Sequence, residues 1–244
     1  RLMSGVFPPG LPRLESAGLD GWMVRLFDAI DEANMPWLTA LVRDCEKAFG
    51  DQLVDLVPSY TTLLVTVDPL RLSPGEARKR LIELLQWLQP DEEPADAPVK
   101  ELPVWYDPAV GPELSRLAEL AGMSLEEVVA CHSERTYRVF ALGFAPGFAF
   151  MGSVDARLEA PRLATPRRRV PAGSVAVTGQ QTAAYPAVTP GGWNLIGRTP
   201  AVLFDRDREG FSLFQVGDRV RFVPIDRAEF ERRGGDTRPM EEER

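Results

Sequence analysis

Between residues 36 and 49 the apolar positions Leu38, Leu41, Val42, Cys45 and Phe49 recur at helical spacing, with Pro36 near the start and Gly50 at the end. The pattern predicts an amphipathic helix. A second helix is predicted after Ser73 and Pro74, which suit the cap and the first helical position. Its apolar face is Ala77, Leu81, Leu84, Leu85 and Leu88. Around these helices the period shortens to two: residues 22–27, 52–57 and 60–67 read as strands, the last two divided by a turn at Pro58 and Ser59. Strand, helix, strand, strand, helix describes a small α+β layer with both helices on one face of a sheet.

Residues 89–100 carry prolines and acidic residues with almost nothing to bury, which marks a linker. Beyond it, 101–106 reads as a strand and 112–121 as a helix with Leu114, Leu117, Ala118 and Ala121 on one side. Ser124 followed by Glu127 forms a capping box for another short helix. From Arg135 onward the texture changes to short β-runs broken by Gly and Pro, at 136–142, 174–178, 201–204 and 219–224. Such runs favour a closed or nearly closed barrel over a parallel α/β sheet. Charged, Gly-rich residues end the chain and read as a flexible tail. The expected organisation is an α+β domain over 1–98, a β-barrel domain over 99–230 and a tail over 231–244.

Composition narrows the chemistry without changing this picture. The chain has 244 residues and a formal charge of −8, which argues against general binding to nucleic acid, because counterion release from phosphates needs a basic surface. Its two cysteines, Cys45 and Cys131, have no paired spacing, so neither a disulfide framework nor a zinc site is expected. No metal site is predicted. No stretch approaches the roughly 18 apolar residues of a membrane span, and no signal-like run opens the chain, so a cytoplasmic protein is expected. The sequence also lacks G-x-x-x-x-G-K-[ST], H-E-x-x-H and G-x-S-x-G.

What remains is one histidine and a polar, glycine-rich region. His132 falls near the C-terminus of the short helix, a place that favours a cation and suits either proton transfer or a cap on the last carbonyls. Residues 143–152, GFAPGFAFMG, place three phenylalanines in a tightly turned loop. Phe148, Phe150 and Trp193 are expected to form an apolar patch or pocket wall. Arg162, Arg167, Arg168 and Arg169 cluster among prolines, and arginine's planar fork suits a carboxylate or phosphate. Gln181, Thr182 and Tyr185, followed by Gly191, Gly192, Trp193 and Asn194, present amide, hydroxyl, phenol and indole groups on glycine-rich backbone, the composition of a small polar-ligand site.

These segments also carry a family resemblance. PSYTTLLV at 58–65, the run from His132 to Tyr137, GFAPGF at 143–148, ATPR at 164–167, VPAGSV at 170–175, QT at 181–182, YP at 185–186, PGGWNLIGRTP at 190–200 and GD-x-V-x-F at 217–222 together resemble the family of the B-type 5-oxoprolinase subunits. That family is also called kinase A inhibitor or allophanate hydrolase subunit 1. The resemblance implies a cyclophilin-like barrel and a larger partner subunit of the same architecture. With that partner it implies a composite site for a small amide, His132 acting as acid, base or carbonyl-polarising donor, Arg167 as anion clamp, and Phe148, Gln181, Thr182, Tyr185, Gly191, Gly192, Trp193 and Asn194 around the substrate. It further implies that ATP, with Mg²⁺, drives lactam opening in the assembled complex, where an A-type, lactam-hydrolase subunit cooperates. Two other activities follow from the family names: processing of allophanate or urea, and inhibition of a sensor histidine kinase. Phe150 and Met151 stand where many members carry Tyr and Leu, which removes a phenol from the expected pocket.

Overall fold

A computed structural model describes residues 6–93 and 97–240. The chain divides into two compact units, Arg1–Ala97 and Pro98–Arg244, within one residue of the boundary expected from the linker composition. Residues 94–96 of that linker and 241–244 of the expected tail lie outside the described residues.

The strands of the first unit are β1 (Arg13–Ala17), β2 (Gly21–Arg25), β3 (Leu53–Pro58) and β4 (Thr62–Val67). They form one antiparallel sheet of order β1-β2-β4-β3. Leu63, Val65 and Val67 alternate into the core while the residues between them are only partly covered. This is the period-2 signature of a sheet with one buried face. Helix α1 (Met35–Phe49) packs Leu38, Leu41, Cys45 and Phe49 onto that face, and α2 (Pro74–Trp87) adds Ala77, Leu81 and Leu85. Ser73 and Glu76 close a reciprocal capping box at the start of α2. Strand β1, with sequence RLESA, was not expected. It is a mostly polar edge strand paired only to β2, so no buried face forces an apolar alternation on it.

The second unit contains β5 (Val99–Val104), β6 (Thr136–Leu142), β7 (Ala149–Gly152), β8 (Arg167–Val170), β9 (Ser174–Thr178), β10 (Gln181–Ala184), β11 (Thr189–Gly191), β12 (Asn194–Arg198) and β13 (Arg219–Pro224). Seven of them form one sheet of order β12-β9-β10-β7-β6-β13-β5, while β8 and β11 pair separately as a ribbon. Trp105 and Arg198 exchange both backbone hydrogen bonds at 2.9 Å, joining the two outermost strands and closing the barrel. Gly197 is required at that seam, since a Cβ there would lie 2.7 Å from the Trp105 carbonyl oxygen. This is the cyclophilin-like β-barrel expected after the α+β unit. Helices α3 (Leu114–Ala121) and α4 (Leu125–Ser133) bury Leu114, Leu117 and Val128 in the cluster that fills the barrel, with Val139, Met151, Val177, Ile196 and Phe222.

Two expectations need correction. Residues 201–204 form no strand: only Phe204 makes an isolated bridge, to Ser212, because turns on either side leave no ladder to extend. The tail expected from residue 231 is held in place as far as Met240. Helix α5 (Arg227–Arg232) buries Phe230 against Trp105, with ring centroids 5.3 Å apart. The buried Arg198 guanidinium donates to the carbonyls of Asp236 and Arg238 at 2.6 and 2.8 Å, and Met240 N–H reaches the Ala109 carbonyl at 2.8 Å.

Candidate functional site

Capping by Ser124 and Glu127 fixes the start of α4, and its nine residues then carry His132 into the barrel on the last turn. His132 is completely buried. Its Nδ1 lies 2.7 Å from the Tyr106 hydroxyl and its Nε2 lies 2.8 Å from Thr182 Oγ1. The Thr182 hydroxyl donates its one proton to the Ala176 carbonyl at 3.0 Å. Toward His132 it can therefore only accept, so the proton sits on Nε2 and Nδ1 accepts from Tyr106. The rings of Phe222, Tyr137 and Tyr106 surround the imidazole with centroids at 4.4, 5.5 and 5.7 Å.

This geometry corrects the expected cation. Burial pulls the His132 pKa down to about 3, a bias of roughly 5 kcal/mol toward the neutral ring. A helix C-terminus offsets only about 0.3–2 kcal/mol of that. Both ring nitrogens are engaged within the protein, so His132 is a member of the barrel's polar core and has no nitrogen open to a substrate.

Strand alternation separates the other expected residues. Thr182 and Asn194 point into the barrel. The Asn194 amide donates to the carbonyls of Pro161 and Val177, each at 3.0 Å, and its oxygen accepts from Arg116 at 2.6 Å, so it is fully committed to the fold. Their neighbours Ala183 and Leu195 face the opposite side, where they join Phe148, Val170, Ala176, Tyr185 and Trp193 in a second apolar cluster. Gln181 shares the parity of Ala183 and thus this outer face. The structure therefore does not unite His132, Thr182 and Asn194 with Phe148, Gln181, Tyr185 and Trp193. They lie on opposite faces of the same strands.

On the outer face Phe148 packs edge-on against Trp193 and Tyr185, with centroids at 5.6 and 5.3 Å. Phe148 and Trp193 are nearly buried, so the patch expected from Phe148, Phe150 and Trp193 is largely covered by the chain itself. The exposed ring is Phe144, 66% accessible and edge-on to Phe148 with centroids 5.3 Å apart. Gly191 lies directly against the Tyr185 phenol, where any Cβ would overlap the oxygen, and Gly192 passes over Pro166. Burial raises the Tyr185 pKa, while a hydrogen bond from the Trp193 backbone and the nearby Arg162 and Arg167 act in the opposite direction.

Arg167, the expected anion clamp, already holds an anion. It makes a two-pronged pair with the buried Glu113, whose Oε2 also accepts the Leu195 N–H at 2.8 Å. Arg162 and Arg169 make no ion pair among the described residues, and Arg162 stands close enough to Tyr185 to influence its ionisation. The outer face thus offers the Gln181 amide and exposed guanidinium charge above a buried aromatic layer, groups suited to a small anion. Sequence reading missed Glu113, Arg116 and Tyr106. Glu113 and Arg116 share the short α3 region, but nothing local shows that they pair with residues more than fifty positions away. Among the described residues no group of three His, Cys, Asp or Glu side chains could hold a metal ion, and no helix is long and apolar enough to cross a membrane.

Comparison with known proteins gives consistent relationships. Residues 12–214 match the family described as carboxyltransferase domain, subdomain C and D. The B-type 5-oxoprolinase subunit of Bacillus subtilis (strain 168) is 36% identical over 228 residues, covering 89% of this chain and 95% of the relative. The crystal structure of TTHA0988 superimposes with a TM-score of 0.73 at 41% identity, covering 84% of this chain but only 40% of that one. Urea carboxylase of Kluyveromyces lactis gives a TM-score of 0.74 at 19% identity over 89% of this chain and 22% of the other, a likeness of fold alone.

Proposed function

Because this chain belongs to the carboxyltransferase-domain family of subdomains C and D, alongside the B-type 5-oxoprolinase subunits, we propose that it is the B-type subunit of an ATP-dependent 5-oxoprolinase. The observation that carries the reading is the 36% identity extending over 95% of the Bacillus subtilis relative. In the proposed reaction water opens the lactam C–N bond of 5-oxoproline to give glutamate, coupled to hydrolysis of ATP to ADP and phosphate. ATP and Mg²⁺ act in the assembled complex.

In this reading the partners are a lactam-hydrolase subunit together with a larger cyclophilin-like one. Two observations support a complex. TTHA0988 matches this chain over only 40% of its length, so in that protein a second region of greater size is covalently joined. Phe144 and Phe211, the non-glycine residues with positive φ among the described residues, are 66% and 54% exposed. Strained, exposed aromatic rings are what an interface covers. The substrate's carboxylate is assigned to the exposed Arg162 beside Tyr185. His132 serves as a positioning residue that fixes Thr182 on the barrel side of β10.

The test is reconstitution of the chain with the two other subunits. One peak in size-exclusion and ATP-dependent formation of glutamate from 5-oxoproline are expected, with activity lost when this chain is omitted. Arg162→Ala is expected to raise KM about tenfold with a smaller change in kcat, the mark of lost ground-state binding. Full turnover without this chain overturns the assignment.

A further inference from the structure

In the barrel unit a cavity of about 520 Å³ opens beside the C-terminal half of α4, lined by Tyr106, Leu114, Leu125, Val129, Ser133 and Ile225 with Asp107, Glu126 and Glu134 around them. Its size falls within the range of small-ligand pockets. All the charge facing it is negative: the lining contains three carboxylates and no Lys, Arg or His. Among the described residues neither Glu126 nor Glu134 is in an ion pair or a side-chain hydrogen bond, while the Asp107 carboxylate accepts only from the Ala109 N–H. The α4 helix ends here too, so its last carbonyls add partial negative charge.

An independent observation points to a ligand. Ser133 is 7% exposed, lines the cavity, and its hydroxyl has no hydrogen-bond partner among the described residues. With the rest of the residue enclosed, that hydroxyl is left to bond to whatever occupies the cavity. The Tyr106 oxygen, which gives its proton to His132, has lone pairs left to accept from the cavity side.

We propose that this cavity binds a small organic cation, a primary ammonium or guanidinium on a short aliphatic stem. The charged head bonds to Ser133 and the carboxylates, and the stem lies against Leu114, Leu125, Val129 and Ile225. A bare metal ion fits less well, because no three acidic side chains here converge on one point and the walls are apolar.

The experiment is calorimetric titration of the full chain with n-butylguanidinium, with n-pentanoate and n-butanol as the anionic and neutral controls. Saturable binding is expected, with a Kd on the order of 1 mM or tighter for a ligand this small. Glu126→Gln/Glu134→Gln, a change at two exposed positions that leaves the core intact, is expected to weaken it about tenfold or more, and Ser133→Ala by a comparable factor. Circular dichroism of both variants establishes that they are folded. The proposal is overturned by non-saturating heats, by pentanoate binding as well as the cation, or by unchanged affinity in the folded carboxamide variant.

Discussion

Lowering the pH from 7 to 5 should destabilise the barrel unit through His132, and the size of the effect follows from the buried network. In the unfolded chain His132 titrates at an ordinary value of about 6.5, whereas in the folded barrel burial holds it near 3. Since the folded pKa is the lower one, the unfolded state takes up a proton that the folded state refuses. The stability contribution is full above pH 6.5 and is lost as pH falls toward 3. At pH 5 the unfolded chain gains about 1.5 pH units of protonation free energy, roughly 2 kcal/mol. Urea midpoints at the two pH values measure the loss, and NMR isolates its cause. His132 is the single histidine in the chain, so one imidazole resonance reports it without assignment by mutagenesis. The native signal is expected to stay constant between pH 8 and 5, with ¹⁵N shifts of the Nε2-protonated tautomer. A native-state titration near 6.5, or a proton on Nδ1, would refute the derivation from Thr182 and Ala176.

Arg167→Met should leave the carboxylate of Glu113 buried without its cation, at a cost of about 3 kcal/mol by thermal or urea unfolding; Arg167→Met combined with Glu113→Gln should recover part of it, because no lone charge remains. Gly191→Ala drives a methyl group into the Tyr185 phenol and should cost about 1–3 kcal/mol as overpacking, with Tyr185→Phe in the same chain relieving part of it, because the ring carbons stay close; an unchanged melting temperature in the single variant would contradict the close approach.

The division of the chain was legible because its causes are local. Helical spacing at Leu38, Leu41, Cys45 and Phe49, the capping boxes at Ser73 and Ser124, and the Gly- and Pro-broken β-runs after Arg135 each express a preference of a few adjacent residues. The linker at 89–100 is marked by composition alone, through its prolines and acidic residues, and the ordered motifs from 58 to 222 were enough to place the chain in its family. Edge strand β1 escaped because an edge with no buried face has no pattern to show.

The candidate site was less legible, and for a specific reason. Gln181-Thr182 and Trp193-Asn194 read in sequence as one polar surface, but each pair straddles a strand whose alternate residues face opposite ways. Sequence also cannot weigh desolvation: the helix end that favours a charged His132 is present, yet the barrel that Tyr137 and Phe222 close around it decides for the neutral ring. Likewise the arginine cluster was visible by composition, while only the fold could bring Glu113 to Arg167 across 54 residues and leave Arg162 exposed to solvent. Local chemistry thus determined which segments are helix, strand or turn and which groups are available. Long-range packing decided which of those groups are committed inside the barrel and which remain for a ligand.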